Sequence, residues 1–259
     1  MSDEPIYVPS EASRDLTSID LHPKAAGLNL FIGGLITFVY YAGFSDFKTT
    51  TVPWKVTGAL TLLSSAVLLV QYLANRRRRR LIWEGIAATL GLLPTWLLLG
   101  SCWLAYFLFA PMPVSVRWTV LSPCLAGTAY WLIVVWRDYE SDAERLGLLS
   151  RLYRVESDRI VYSAEASTVI LTLKQRNPFS RLHFWGVSLA PLVGGIALSS
   201  VEHFQSTSGP HVVFLILSFF SYPMSQWILA YLGMRTVFFH VYLPFKIEKK
   251  TGKKVILAP

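Results

Sequence analysis

Charge is scarce in this chain. Asp, Glu, Lys and Arg make up 15% of its 259 residues, where a soluble domain carries about 25%. Cysteine is scarcer still: Cys102 and Cys124 are the only two. Both fall inside apolar runs, which argues against a disulfide framework and leaves them as small apolar residues. Catalytic and nucleotide-binding signatures are missing as well. There is no G-x-S-x-G, no H-E-x-x-H, no G-x-G-x-x-G and no Walker A loop. The expectation is a protein that is not an enzyme, with no catalytic, cofactor-binding or metal-binding residues. Glu202, His203 and His211 flank one short loop and come nearest to a zinc set, but their spacing fits no helical ligand pair.

Ionisable residues inside the apolar runs are almost absent, which disfavours an ion- or proton-coupled carrier. Glu84 lies at the edge of one run and reads as a partner for the arginines just before it. His22, His183 and His240 are scattered along the chain.

What the chain does have is long apolar runs. Apolar residues reach 53% of the total, and mean hydropathy is +0.43. Six runs approach the ~20 residues that cross a bilayer: about 25–43, 56–74, 85–110, 118–136, 183–201 and 211–234. The fold class expected is an all-α polytopic membrane protein with six transmembrane helices. The segment 1–24 is acidic, has no apolar core and reads as a polar cytosolic tail rather than a signal peptide. Helices one to four then occupy 25–136, a loop module 137–182, helices five and six 183–234, and a basic tail 235–259. The run 85–110 is long and contains Pro94; it reads as one kinked helix, with a re-entrant pair as the alternative.

Five consecutive arginines, Arg76, Arg77, Arg78, Arg79 and Arg80, sit between the second and third runs. Such a block marks a water-facing loop and a contact with anionic lipid. With six crossings, the loops on the arginine side hold 21 Lys and Arg against 3 on the other. The positive-inside rule then places both termini in the cytoplasm. The net charge of +8 follows from this bias, so nucleic-acid binding is not expected. A bacterial inner membrane is the expected location, with a eukaryotic endomembrane as the alternative.

Within 137–182, Ser141 and Glu144 have capping-box spacing. Leu146, Leu149, Leu152 and Tyr153 follow at helical spacing, predicting an amphipathic helix over about 140–154. Arg145, Arg151 and Arg154 on it form a cytosolic partner surface. Residues 159–163 and 168–174 are rich in β-branched side chains and predict a hairpin. So do 236–247 with 255–257 in the tail; the rival there is a sixth helix running past Arg235 and broken at Pro244. The two hairpins are expected to meet in one small sheet under the bundle.

Prolines recur in four runs, Pro94, Pro123, Pro191 and Pro223, as candidate helix kinks. Asn29, Ser64, Ser65, Thr95, Ser101, Thr128, Ser188, Ser225 and Gln226 are polar at depth and are expected to bond between helices or to backbone. The function expected is non-catalytic: a membrane protein that binds another protein in or at the bilayer. One version is an immunity or defence component against a membrane-active toxin. The alternative is a channel or transporter for a neutral or lipid-like solute. The partners expected are the anionic cytosolic leaflet and another protein, with no nucleic acid.

Overall fold

A computed structural model describes residues 21–46, 50–75, 78–163, 168–173, 176–181, 183–184, 188 and 209–257. The chain forms α1 (Leu21–Asp46), α2 (Val52–Asn75), α3 (Leu81–Gly91), α4 (Leu93–Leu99), α5 (Cys102–Phe109) and α6 (Val114–Arg145). A short helix α7 (Leu148–Leu152) leads into strands β1 (Tyr153–Val155) and β2 (Arg159–Tyr162), and one turn, α8 (Thr168–Leu171), follows. Then α9 (Gly209–Trp227) continues through π-helical turns at Ile228–Gly233 and Val237–Tyr242 into α10 (Leu243–Thr251), and β3 (Lys254–Leu257) follows.

Among the described residues, five helical stretches are long and apolar enough to cross a membrane: His22–Ser45, Val52–Asn75, Leu81–Leu99, Val114–Arg145 and His211–Thr251. The expected crossing at 183–201 lies largely outside the described residues, as do Pro191, Arg76, Arg77 and the tail 1–20.

The side chains of α2 show why this is a membrane fold. Its buried positions are Pro53, Thr57, Thr61, Ser64, Ser65, Leu68, Gln71 and Asn75. Its outer face carries Leu60, Leu62, Leu63, Leu69, Val70 and Leu73, all exposed. A helix in water would have the opposite polarity. In lipid the outer face needs no cover, and small or polar residues hold helices together. The buried residues of α1 include His22, Ala26, Asn29, Ile36, Tyr40 and Phe44. With Gly33, which is buried too, they alternate steps of four and three from His22 as far as Tyr40. That is a heptad-type seam matching the one on α2.

The run 85–110 is not one smooth helix. It is broken at Leu92, where Pro94 enters the first turn of α4, and again at Gly100–Ser101 before α5. The amide of Trp103, left open at the start of α5, donates to Ser221 Oγ of α9 at 2.8 Å. A hydroxyl from another helix thus does the work of an N-cap. Pro123 and Pro223 lie inside α6 and α9 without ending them.

Several expectations for the water-facing parts need correction. The amphipathic helix over 140–154 is not a separate element. Helix α6 runs to Arg145, so Ser141 lies mid-helix and caps nothing, and the break comes at Gly147, whose φ of +58° favours a residue without Cβ. Tyr153 and Arg154 are strand. The segment 168–174 begins as a helical turn rather than a strand. The tail from 236 to 247 is helical, as the rival reading had it, although Pro244 does not break it. The π-helical turn at Val237–Tyr242 directly precedes that proline, and a locally widened backbone tolerates a missing amide.

One expectation held in outline: the loop and the tail do share a sheet. Its order is β1-β2-β3, with β1 antiparallel to β2 in the register Tyr153↔Tyr162. The pair β2–β3 is parallel, with Ile160↔Val255. The sheet core is continuous with the bundle: Leu152, Ile160, Tyr162 and Val255 join Leu81, Trp131, Tyr139, Phe238 and Phe239 in one buried cluster.

Helix α3 meets the π-helical turn of the last helix at Gly85, where a Cβ would lie 2.7 Å from the His240 carbonyl oxygen. Gly34, by contrast, faces open space. Gly85→Ala is expected to destabilise the protein by about 1–3 kcal/mol through overpacking against backbone. Gly34→Ala is expected to be neutral or slightly stabilising, as checked by thermal unfolding in detergent.

Candidate functional site

The end of the bundle that carries the arginine loop is built around Asn75, the last residue of α2. Its carbonyl accepts from the amides of Arg78 and Arg79, both at 2.9 Å. Its side-chain oxygen accepts from the Arg80 amide at 3.0 Å. Its amide nitrogen donates to Glu84 Oε1 at 2.6 Å and to the Arg80 carbonyl at 3.2 Å. One buried amide therefore shapes the turn between α2 and α3, in which Arg79 takes a left-handed conformation at φ +47°.

Glu84, which the sequence suggested as a partner for the arginines, also reaches across to α1. Its second oxygen, Oε2, lies 3.0 Å from His22 Nε2, and both side chains are at most 5% exposed. Arg80 turns away and pairs with Glu248 of α10, Nη2 to Oε2 at 2.5 Å. Glu248 Oε1 also accepts from the Val255 amide at 3.0 Å, and the Leu257 amide donates to the Arg79 carbonyl at 2.9 Å. The bond to Glu248 holds the Arg80 guanidinium even more firmly protonated than usual. The arginine loop is thus tied to the tail strand by side chains and backbone alike.

The polar seam of α1 and α2 leads inward from this point. Asn29 Nδ2 donates to both Ser64 Oγ and Ser65 Oγ, and Gly33 lets the Thr61 side chain approach its backbone. A second seam joins α4, α5 and α6 to α9. Trp96 Nε1 donates to Ser225 Oγ at 2.9 Å, and Gln226 Nε2 donates to Thr128 Oγ1 at 3.3 Å. On the α1 side of this region, Tyr40 and Ser101 share a hydrogen bond of 2.6 Å. The expected bonding between helices is therefore seen for Asn29, Ser64, Ser65, Ser101, Thr128, Ser225 and Gln226.

The sheet is pinned from below. Tyr153 donates its hydroxyl proton to the Phe239 carbonyl at 2.8 Å, and the Tyr162 hydroxyl lies 3.1 Å from His240 Nε2. Burial raises the pKa of both phenols well above the usual value, so they remain protonated at neutral pH. Arg145, Arg151 and Arg154 are all exposed at this end. Arg145 forms a local pair with Asp142 at 2.7 Å.

Among the described residues no group of three or more His, Cys, Asp and Glu could hold a metal ion. His211 Nδ1 lies 3.0 Å from the Tyr106 hydroxyl, while Glu202 and His203 lie outside the described residues. Sequence reasoning missed His22 and Asn75 as neighbours of Glu84. The signal was present in the spacing 57-61-64-68-71-75 on α2 and 22-26-29-33-36-40 on α1, two heptad-like stripes of opposite chain direction.

This arrangement defines a class: a multi-pass α-helical membrane protein with polar helix seams and a small sheet locked to one end. No family model matches the chain, and neither a curated protein nor a solved structure matches it.

Two outcomes follow from the geometry. Asn75→Ala removes the bonds that shape the turn and leaves Glu84 and the Arg80 amide short of partners, for an expected loss of about 2–3 kcal/mol. Thermal unfolding in detergent checks it. For the tyrosines, the folded-state pKa lies above the unfolded value. Their contribution is therefore complete below the unfolded pKa of about 10 and is lost as pH rises beyond it. Phenolate absorbance is expected to lag in the native protein and to jump when the sheet melts; in Tyr153→Phe the lag shrinks.

Proposed function

We propose that this protein is a non-catalytic integral membrane protein that works by binding another protein at its basic end, with six crossings and both termini on the cytoplasmic side. The observation that carries the reading is the fixed platform. Loop residues 153–162 and tail residues 254–257 form one sheet, and a backbone bridge from Arg80 to Ile256 joins it to the arginine loop. A platform held this way presents its side chains with little loss of conformational freedom on binding.

Its surface mixes charge with grease. Leu149 and Val155 are exposed within a few residues of Arg151 and Arg154. Apolar side chains beside arginine suit a protein partner with an acidic, partly apolar face. Arg78, Arg79 and the tail lysines suit the anionic leaflet. An immunity component that blocks a membrane-active toxin is one concrete form of such a protein.

Six crossings draw support from the two ends of the bundle. The arginine loop and the tail strand meet at one end, and His211 lies against Tyr106 at the other. An even number of crossings accommodates both, with the sixth in the expected 183–201. The 21-to-3 distribution of basic residues supports a cytoplasmic platform.

The test is a photo-crosslinking amino acid placed at Arg151 in intact cells, with lipid-facing Leu63 as the control position. The expected result is a discrete protein adduct from position 151 that disappears when Arg145 and Arg154 are changed to Glu. No adduct, or the same adduct from position 63, overturns the reading. Cysteines placed at 78 and 150 are expected to react only with reagents that reach the cytoplasm; labelling from outside overturns the topology.

A further inference from the structure

We propose that the open edge of the sheet, strand β1, takes up the acidic segment that precedes α1, with Ile6, Tyr7 and Val8 adding as a fourth strand. The docking is intramolecular and does not depend on the proposed partner protein. Only its consequence rests on that reading: tail and partner compete for Arg151 and Arg154.

The two edges of the sheet are treated differently. On the β3 side the arginine loop covers the edge: the Leu257 amide donates to the Arg79 carbonyl at 2.9 Å, and Arg80 bridges to Ile256. On the β1 side no described strand pairs with it. The register decides which groups face outward there. The Ser163 amide donates to the Leu152 carbonyl and the Glu156 amide to the Arg159 carbonyl, both at 2.9 Å. Bonded and non-bonded positions alternate in an antiparallel pair. Arg154 therefore turns its backbone towards β2, while Tyr153 and Val155 turn theirs away. The Tyr153 amide is taken by the Leu149 carbonyl. That leaves the Val155 amide and the carbonyls of Tyr153 and Val155, none of which has a partner among the described residues. The Val155 side chain beside them is 67% exposed. Free backbone groups next to an exposed apolar side chain are a template for another strand.

Charge decides what that strand carries. Arg151 and Arg154 are exposed and form no ion pair among the described residues. The carboxylates nearest in the chain, Glu156 and Asp158, face Arg159. Lys254, on the same sheet, is exposed as well. An apolar strand flanked by carboxylates complements this edge.

The tail 1–20 has the matching composition. It holds five carboxylates, Asp3, Glu4, Glu11, Asp15 and Asp20, against one arginine, Arg14. Ile6-Tyr7-Val8 is its one run of residues that favour strands, with carboxylates on either side. Pro5 and Pro9 bracket the run, and neither can donate to a ladder. The added strand is thereby held to three residues, the length of β1.

The point of attachment suits it too. His22, at the start of α1, lies 3.0 Å from Glu84. Leu81, about one turn from Glu84, shares a buried cluster with Leu152 and Ile160. The twelve residues from Pro9 to Asp20 span up to about 40 Å when extended. That is ample for a sheet a few packed layers away at about 10 Å per layer. A tethered strand meets its edge at an effective concentration on the order of millimolar, which favours it over a second copy of the chain.

The purified full chain in detergent tests this with no partner present. A benzophenone amino acid at Val155 is expected to form one adduct, with a peptide from residues 1–14 of the same chain. Mixing isotope-labelled with unlabelled chains separates it from an adduct between copies. Ile6→Asp with Val8→Asp is expected to cut the yield several-fold, and so is Arg151→Glu with Arg154→Glu. No adduct, or one with a second copy, a lipid or another segment, overturns the docking. A yield unchanged by either pair of substitutions does the same. Hydrogen exchange on the chain without the benzophenone gives a second reading. The Val155 amide is expected to exchange about tenfold faster in the Ile6→Asp, Val8→Asp variant than in wild type, with the Ile160 and Val255 amides unchanged. Equal rates at Val155 overturn the proposal, and this readout stands even if the photo-reactive variant fails to fold.

Discussion

Inside a bilayer two apolar helices gain little by touching each other, because lipid tails are as apolar as leucine. That constraint decides what holds this molecule together. Helix α1 is joined to α2 by Asn29 bonding to two serines and by close backbone approach at Gly33. Helix α9 is joined to α4 and α5 by serine hydroxyls that take up Trp96 Nε1 and the Trp103 amide. Leucines such as Leu60, Leu62, Leu63, Leu69 and Leu73 of α2 face outward and serve as solvent-facing surface, with lipid as the solvent.

At the water-facing end the ordinary rule returns, and apolar burial drives assembly. Leu148, Leu152, Ile160, Tyr162 and Val255 are buried at 2% exposure or less, each contributing about 1.5–3 kcal/mol. A three-stranded sheet of strands only three or four residues long would be marginal alone. It persists because the bundle supplies its second layer, through Phe238, Phe239 and Tyr139. Asn75 and Glu248 connect the two regimes: one shapes the arginine turn from the membrane side, the other grips it from the tail.

The legible parts of the sequence were those governed by local composition. The apolar runs showed as runs, and 159–162 showed as strand because Ile160, Val161 and Tyr162 favour a pleated, half-buried surface. The same logic misjudged 236–247. Its valines and aromatics have strand propensity, but they continue a membrane helix and stack against Trp136 and Tyr139 of α6. Tertiary packing overrides propensity in such a case. The split between α6 and α7 turned on one glycine, Gly147, whereas the capping-box spacing just before it marked no helix start.

By itself the sequence determined that the chain lives in a membrane, roughly where it crosses, and which loops carry the positive charge. These are sums over many residues, and no single contact alters them. Only the tertiary structure decided that Glu84 faces His22, 62 residues away in the chain. The physical reason is that a carboxylate chooses its partner by the register and rotation of packed helices, which depend on where Gly33, Thr61 and Asn75 let α1, α2 and α3 approach one another.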